Sequence, residues 1–252
     1  MLKNYAIVTV RNSSTRLPNK AILPVAANLL SIEVVIARAR HTGFPVVIAT
    51  STDATDDVFE EIALKNGVQI FRGALLNKLQ RWKDCFDALG IDQALLVDGD
   101  DLMYDFNTGR RAIDVLTASD ALMIKHPENV ICGYFTYAIK KAGIEALASF
   151  AENAQTNTDV ITEFVTKSGI GVEILSLLDW EKDKPYRLTL DYSDDLDFFK
   201  ALIAGVGIDA DGKTVTAFLD AHPEIVNINL HRQADCAKNQ AAFNEKVRTG
   251  IQ

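Results

Sequence analysis

The sequence predicts an α/β fold of the Rossmann-like kind: a mixed, mainly parallel sheet with helices on both faces. Three observations carry this. Continuous apolar runs at residues 6–10, 46–50 and 93–97 suit strands buried on both faces. Between them lie amphipathic segments of helical length. The breaks fall at Gly43-Phe44-Pro45, Gly67 and Gly90, where glycine can take the left-handed conformation that ends a helix. Strands alternating with helices call for parallel pairing through right-handed crossovers, and in such sheets ligands gather at the carboxyl ends of the strands.

In order, residues 6–10 form the first strand and lead into a long loop. Leu30, Val34, Val35 and Ala37 then place a helix over 29–40. After the strand at 46–50, residues 53–66 read as a helix with acid in its first turn and Gly67 at its stop. A short strand at 68–71 ends in Arg72-Gly73, and 77–89 forms the next amphipathic helix. The strand at 93–97 runs straight into Asp98-Gly99-Asp100-Asp101. Beyond it the period is less regular: a helix near 107–118 and strands at 121–124 and 131–137 predict a small antiparallel accessory portion. Helices over 139–152 and 159–167, strands at 171–174 and 187–191, and a helix over 193–204 opened by Ser193 follow. The last part, 212–252, is expected to be a helical C-terminal tail halted once near Pro223, and the whole chain, 1–252, a single domain.

Composition narrows the function. At 252 residues, with 48% hydrophobic and 24% charged, the chain can bury a full core and is unlike a disordered segment. A net charge of −8 excludes a general nucleic-acid binder, which needs a broad basic face. No apolar run reaches the length of a membrane span and the N-terminus lacks a leader pattern, so the expectation is a cytoplasmic protein with no membrane partner. Cys85, Cys132 and Cys236 are widely spaced and suggest neither disulfides nor zinc, and His41, His126, His222 and His231 show no metal-ligand spacing. A hard-cation site built from carboxylates stays open.

The chemistry concentrates in two kinds of place. The loop Arg11-Asn12-Ser13-Ser14-Thr15-Arg16-Leu17-Pro18-Asn19-Lys20 gathers cations and hydroxyls at the end of the first strand of an acidic protein, a seat suited to phosphates. Read alone, it is equally a solvated surface loop. Asp98, Asp100 and Asp101 cluster after a buried strand, where like charges are costly without a cation or many donors. A polar turn is the plain alternative there. Asp191 also follows an apolar run, and is otherwise part of the helix start at Ser193-Asp194-Asp195. Magnesium usually takes one or two carboxylates together with phosphate oxygens, so Asp100 and Asp191 facing phosphates held by Arg11, Arg16 and Lys20 would satisfy it.

These stretches resemble the nucleotide-sugar cytidylyltransferases, the 3-deoxy-manno-octulosonate and acylneuraminate enzymes, nearest the spore-coat polysaccharide protein F branch. Ser14-Thr15-Arg16-Leu17-Pro18-Asn19-Lys20 matches S-T-R-L-P-x-K. Ala49-Thr50-Ser51-Thr52, Ile70-Phe71-Arg72-Gly73, Gly99-Asp100 and Arg187-Leu188-Thr189-Leu190-Asp191 follow in order, from about residue 5 to 205. The resemblance implies transfer of CMP from CTP to a small anionic sugar acceptor, with release of pyrophosphate, by a homodimer in surface polysaccharide or glycoconjugate synthesis. It implies that Arg11, Arg16 and Lys20 bind the triphosphate with Asp100 as a catalytic partner, and that Asp100 and Asp191 hold Mg2+. It places Thr9, Val10 and Arg11 at the cytosine, with Ser14, Ser51, Arg72 and Arg81 also around the nucleotide.

The chain departs from the family pattern in several places. Ala26-Ala27-Asn28-Leu29-Leu30 stands where glycines and Lys-Pro are common, Leu102 replaces a proline, and Tyr192-Ser193-Asp194-Asp195 replaces Thr-Pro-Glu-Asp. Two other readings follow from the residues. One is a non-catalytic nucleotide-sugar-binding partner protein. The other is a glycosyltransferase of the same fold, with Asp98-Gly99-Asp100 as its D-x-D turn. Tyr134 and the segment from Asn157 and Thr158 through Asp159 to Glu163 are expected either at the acceptor or at a dimer contact.

Overall fold

β1 (Asn4–Thr9) is the third strand of a seven-stranded sheet in this computed structural model, which describes residues 2–151, 156–158, 160–233, 235 and 245. The strands that follow are β2 (Pro24–Ala26), β3 (Leu29–Leu30), β4 (Val46–Ser51), β5 (Gln69–Gly73), β6 (Gln93–Asp98), β7 (Met123–Lys125), β8 (Tyr137–Lys140) and β9 (Val172–Ile174). The helices are α1 (Ser31–Arg40), α2 (Val58–Asn66), α3 (Lys78–Leu89), α4 (Phe106–Ala118), α5 (Lys141–Ser149), α6 (Thr162–Ser168), α7 (Ser193–Val206), α8 (Gly212–Ala221) and α9 (Pro223–Val226). The sheet order is β5-β4-β1-β6-β8-β7-β9. β5, β4, β1 and β6 run parallel, and β8 enters antiparallel between β6 and β7.

Period-two alternation sorts the sheet's side chains into two cores. Ala6, Val8, Ile48, Leu95 and Val97 are buried on one face with residues of α1, α2, α4 and α7. Ile7, Val47, Ala49, Ala94 and Leu96 are buried on the other with α3, α5 and α6. Both layers are thick enough to make the parallel strands nearly continuous apolar runs, which is why those strands were readable.

The mixed, mainly parallel sheet of the sequence reading is what the chain builds; several boundaries differ. The helix expected over 29–40 starts at Ser31, because Pro24–Ala26 and Leu29–Leu30 pair in a hairpin that turns at Asn28, φ 63°, and Glu33 caps the Leu30 N–H at 3.0 Å. The segment 53–66 opens with a 3-10 turn at Ala54–Asp56, held by the Asp53 carboxylate accepting from Thr55 N at 2.9 Å, before α2 begins. The expected strand at 121–124 lies slightly later, at Met123–Lys125. The run at 131–137 is strand only at its last residue, and residues 138–140, expected in a helix from 139, continue it: Ala138 and Ile139 pair with Leu95 and Ala94. Their apolar spacing serves helix and strand alike, and the sheet claims them.

Residues 187–191 form no regular strand; one bridge joins Cys132 to Arg187, and Leu188 N donates to Cys132 O at 3.0 Å. Of the helices expected over 139–152 and 159–167, Glu152 and Asp159 lie outside the described residues, and α6 begins at Thr162. Cys236 and most of the polar stretch after it lie outside them as well. Among the described residues no helix is long and apolar enough to cross a membrane.

Two devices anchor the periphery, a buried arginine and a tightly packed glycine. Arg38 donates to the carbonyls of Tyr104 (3.0 Å), Ile208 (2.7 Å) and Ala210 (2.8 Å), tying α1 to the loops after β6 and α7. Gly133, at φ 89°, lets the chain pass so close to Leu188 that a Cβ there would sit 2.3 Å from the Leu188 carbonyl oxygen. Both the conformation and the contact are with backbone, so neither relaxes cheaply. Gly133→Ala should therefore destabilise the fold by about 2 kcal/mol or more, seen as a lower urea midpoint at unchanged slope.

Candidate active site

The carboxyl ends of β1 and β6 lie side by side, with Thr9 in register with Asp98. Just past them Gly99 N donates to Thr9 O at 2.8 Å, an approach that a Cβ, itself 2.8 Å from that oxygen, would obstruct. Over these ends opens a cavity of about 960 Å³. Thr9, Val10, Arg11, Ser14, Arg16 and Lys20 line it from the first loop, Arg81 from α3, and Asp100 and Asp191 from the two acidic turns. The sequence thus located the cavity by residues far apart in the chain.

The basic loop is held from both ends. Arg11 Nη1 donates to Leu75 O at 2.8 Å and Asn12 N to Asp56 Oδ1 at 2.7 Å. Farther on, Asn19 takes the left-handed conformation at φ 58° and starts a 3-10 turn at Lys20, whose carbonyl accepts from Ser31 Oγ at 2.5 Å. Lys20 is thereby aimed inward: its Nζ donates to Asp100 Oδ2 at 2.5 Å and to Asp191 Oδ1 at 2.8 Å. Arg16 Nη2 donates to the same Asp191 Oδ1 at 2.5 Å. The floor below is fixed by Trp82, whose Nε1 donates to Thr9 Oγ1 at 2.8 Å.

The two acidic turns are joined through backbone, since Leu190 N donates to Asp100 O at 2.8 Å. Behind Asp191 stands buried Arg187, with Nη2 2.9 Å from Asp191 Oδ2 and Nε 3.0 Å from Asp195 Oδ1. Asp195 also accepts from the N–H groups of Asp191 (2.8 Å) and Tyr192 (2.9 Å), closing the N-terminus of α7. Asn229, after α9, donates to Arg187 O (3.0 Å) and to Asp195 Oδ1 (2.9 Å). Each carboxylate oxygen of Asp191 and Asp195 has a donor, the condition under which buried charge is tolerable.

Electrostatics follow from that crowding. Burial alone would raise the Asp191 carboxyl, but the Lys20 ammonium, with Arg16 and Arg187, outweighs it and holds the pKa down at about 2. Burial likewise disfavours the Lys20 charge, and Asp100 and Asp191 overcome it, so Lys20 stays protonated well beyond an ordinary lysine. Asp101 is pushed well up by burial and then by Asp100 and Asp98. Asp98 is raised by burial, against the pull of Lys78.

Not every expected residue arrives. Ser51 is buried away from the cavity, its Oγ donating to Asp56 Oδ2 at 2.5 Å. Arg72 is turned outward onto Asp57 (2.6 Å) and Glu60 (2.5 Å), with its Nε on Ser51 O at 2.9 Å. Both support the loop after β4 and neither lines the cavity. Lys78, His126, Thr136 and Val160 also line the cavity, although the sequence singled none of them out there. Thr136 Oγ1 stands 3.5 Å from the carboxylates of both Asp98 and Asp101. Lys78 could have been noticed as a cation directly after the Asn77 cap at the carboxyl end of the sheet; the others had no signal of their own.

A family model described as cytidylyltransferase matches residues 5–130, which include β1, the basic loop and the Asp98-to-Asp101 turn. The chain belongs to the cytidylyltransferase family. As a cytidylyltransferase it is 26% identical over 245 residues to the spore coat polysaccharide biosynthesis protein SpsF of Bacillus subtilis, covering 91% of this chain and 98% of that one. Its fold is similar to that of a cytidylyltransferase from Leptospira borgpetersenii, with a TM-score of 0.80 at 22% identity over 90% of this chain and 97% of the other. It is also similar to CMP:2-keto-3-deoxy-manno-octonic acid synthetase complexed with CTP, with a TM-score of 0.63 at 16% identity over 81% and 99%. These two likenesses are of fold. The membership makes the chain a nucleotidyl-transferring enzyme.

A divalent cation is a natural companion of that chemistry, and the donor set fits one. Among the described residues no group of three or more His, Cys, Asp and Glu could hold a metal by itself. Magnesium does not ask for one; it takes one or two carboxylates and completes its shell with water and phosphate oxygens. Asp100 and Asp191 each present an oxygen to a single point, and that point already carries the positive charge of Lys20.

Proposed function

We propose that this cytidylyltransferase transfers CMP from CTP to an anionic sugar, releasing pyrophosphate, in the synthesis of a surface polysaccharide or glycoconjugate. The observation that carries the reading is the quartet of Arg16, Lys20, Asp100 and Asp191, set in one cavity at the carboxyl ends of β1 and β6. Arg16 and Lys20 supply the fork and the mobile charge that a triphosphate requires, with Arg11 beside them. Val10 and Arg11, which line the cavity next to Thr9, would offer backbone groups to the base, with Thr9 fixed by Trp82 beneath. Asp100 and Asp191 would hold Mg2+, which when bound would offset charge on the phosphoryl oxygens and the leaving pyrophosphate. The acceptor hydroxyl attacks the α-phosphorus, the bond to the β-phosphate oxygen breaks, and no enzyme nucleophile is needed.

The anionic acceptor is supported by the further basic groups that line the same cavity, Lys78, Arg81 and His126. The names of the relatives, a polysaccharide biosynthesis protein and a synthetase for a sugar acid, point the same way. A calorimetric panel of nucleoside triphosphates with magnesium should single out CTP. A coupled pyrophosphate assay over sugar acids should then show CTP-dependent release with at least one of them. Binding of CTP without turnover on a broad acceptor panel would leave a nucleotide-binding partner protein, and no binding of any nucleotide would remove the reading.

A further inference from the structure

Asp191 turns only one oxygen to the cavity. Its Oδ2 faces inward to Arg187 Nη2 at 2.9 Å, so Oδ1 is the atom a ligand would meet. That atom accepts from Lys20 Nζ at 2.8 Å and from Arg16 Nη2 at 2.5 Å. The same Lys20 nitrogen lies 2.5 Å from Asp100 Oδ2. Its side chain is 14% exposed, against 41% for Arg16, so the ammonium is the embedded cation of the pair. A magnesium ion sits at about 2.1 Å from each carboxylate oxygen. An ion bound to both of these oxygens would have to stand where one ammonium already touches both. Two cations at that separation repel strongly.

We propose that Lys20 is an internal counter-ion that occupies the metal position while the protein is free of nucleotide. A polyphosphate then draws Lys20 and Arg16 off Asp191 and opens the position to a divalent cation. The two side chains that block the metal are the two that the phosphates want, so nucleotide and metal bind cooperatively, each raising the affinity for the other by the same factor. Metal alone binds poorly, and the site is not charged in the absence of its substrate. The inference rests on the reading of Asp100 and Asp191 as the cation's ligands.

Manganese is a convenient probe, its free ion being read by electron paramagnetic resonance. Without nucleotide, Lys20→Met should bind Mn2+ at least ten-fold more tightly than the wild type. In the otherwise wild-type chain, Asp191→Asn should change the Mn2+ affinity of the nucleotide-free protein by less than two-fold, since Asp191 is already taken. With α,β-methylene-CTP present, the same substitution should weaken Mn2+ binding by ten-fold or more. Equal Mn2+ affinity of wild type and Lys20→Met, or an equal loss from Asp191→Asn in both states, overturns the counter-ion role. Should Lys20→Met fail to fold, judged by its melting curve, the Asp191→Asn pair decides alone. If Lys20→Met tightens Mn2+ yet no nucleotide binds, the counter-ion stands and the CTP reading falls; CTP binding with unchanged Mn2+ affinity sinks the counter-ion alone.

Discussion

Asp100→Asn should lower CTP-dependent pyrophosphate release by about a thousand-fold or more while changing the melting temperature little. The two halves of that expectation have separate causes. Catalysis loses a carboxylate that faces the cavity and accepts from Lys20 at 2.5 Å, and an amide oxygen neither holds a hard cation nor balances the ammonium as well. Stability changes little, because the lost ion pair with Lys20 is set against relief of Asp98 and Asp101, which crowd the same turn and whose carboxyls are pushed up partly by Asp100. Removing that charge relieves the repulsion, and the backbone bond from Leu190 N to Asp100 O at 2.8 Å is untouched. Activity within ten-fold of the wild type, measured at saturating magnesium, would place the essential carboxylate elsewhere.

What was legible in the sequence was whatever one period or one motif could carry. Buried parallel strands such as residues 46–51 are continuous apolar runs and admit few alternatives. Gly67 and Gly90 closed α2 and α3 where left-handed stops were expected, at φ 61° and 63°. The accessory part was harder, because Ala138 and Ile139 are apolar at a spacing that either element tolerates, and only pairing with β6 decides between them. Residues 187–190 looked like a strand for the related reason that they are buried; their backbone bonds go instead to Cys132 and Asp100. In the site, Arg11, Arg16, Lys20, Asp100 and Asp191 were legible because cations gathered after one apolar run and acids after two others stand out in the sequence, and the structure brings them to one cavity. Arg72 did not, because its guanidinium finds nearer acids at Asp57 and Glu60 on its own flank. His126 and Thr136 could not be found, since their place depends on a loop route that no local pattern encodes.

Arg187→Leu should be among the most destabilising single changes in the chain, costing about 3–5 kcal/mol in urea unfolding at neutral pH. The guanidinium is 1% exposed and bridges two carboxylates, Asp191 at 2.9 Å and Asp195 at 3.0 Å. Leucine fills part of the volume and leaves Asp191 with one donor fewer and Asp195 with two fewer in a buried place. Arg187→Lys should recover only part of the loss, because a single ammonium cannot present the planar fork that reaches both. The deficit of Arg187→Leu should be smaller at pH 5 than at pH 8, since an unpaired buried carboxylate can take up a proton. That direction is opposite to the wild-type arrangement, in which the cations hold Asp191 ionised down to a pKa of about 2. The same variant also turns Asp191 loose: with Oδ2 no longer held inward, either oxygen can swing to Lys20. Asp191 would then lose the fixed orientation that offers one oxygen to the cavity. A stability defect that shrinks at pH 5, together with weakened CTP binding, would identify Arg187 as the residue that both secures the loop after Leu190 and aims its acid. A deficit independent of pH would reduce it to packing.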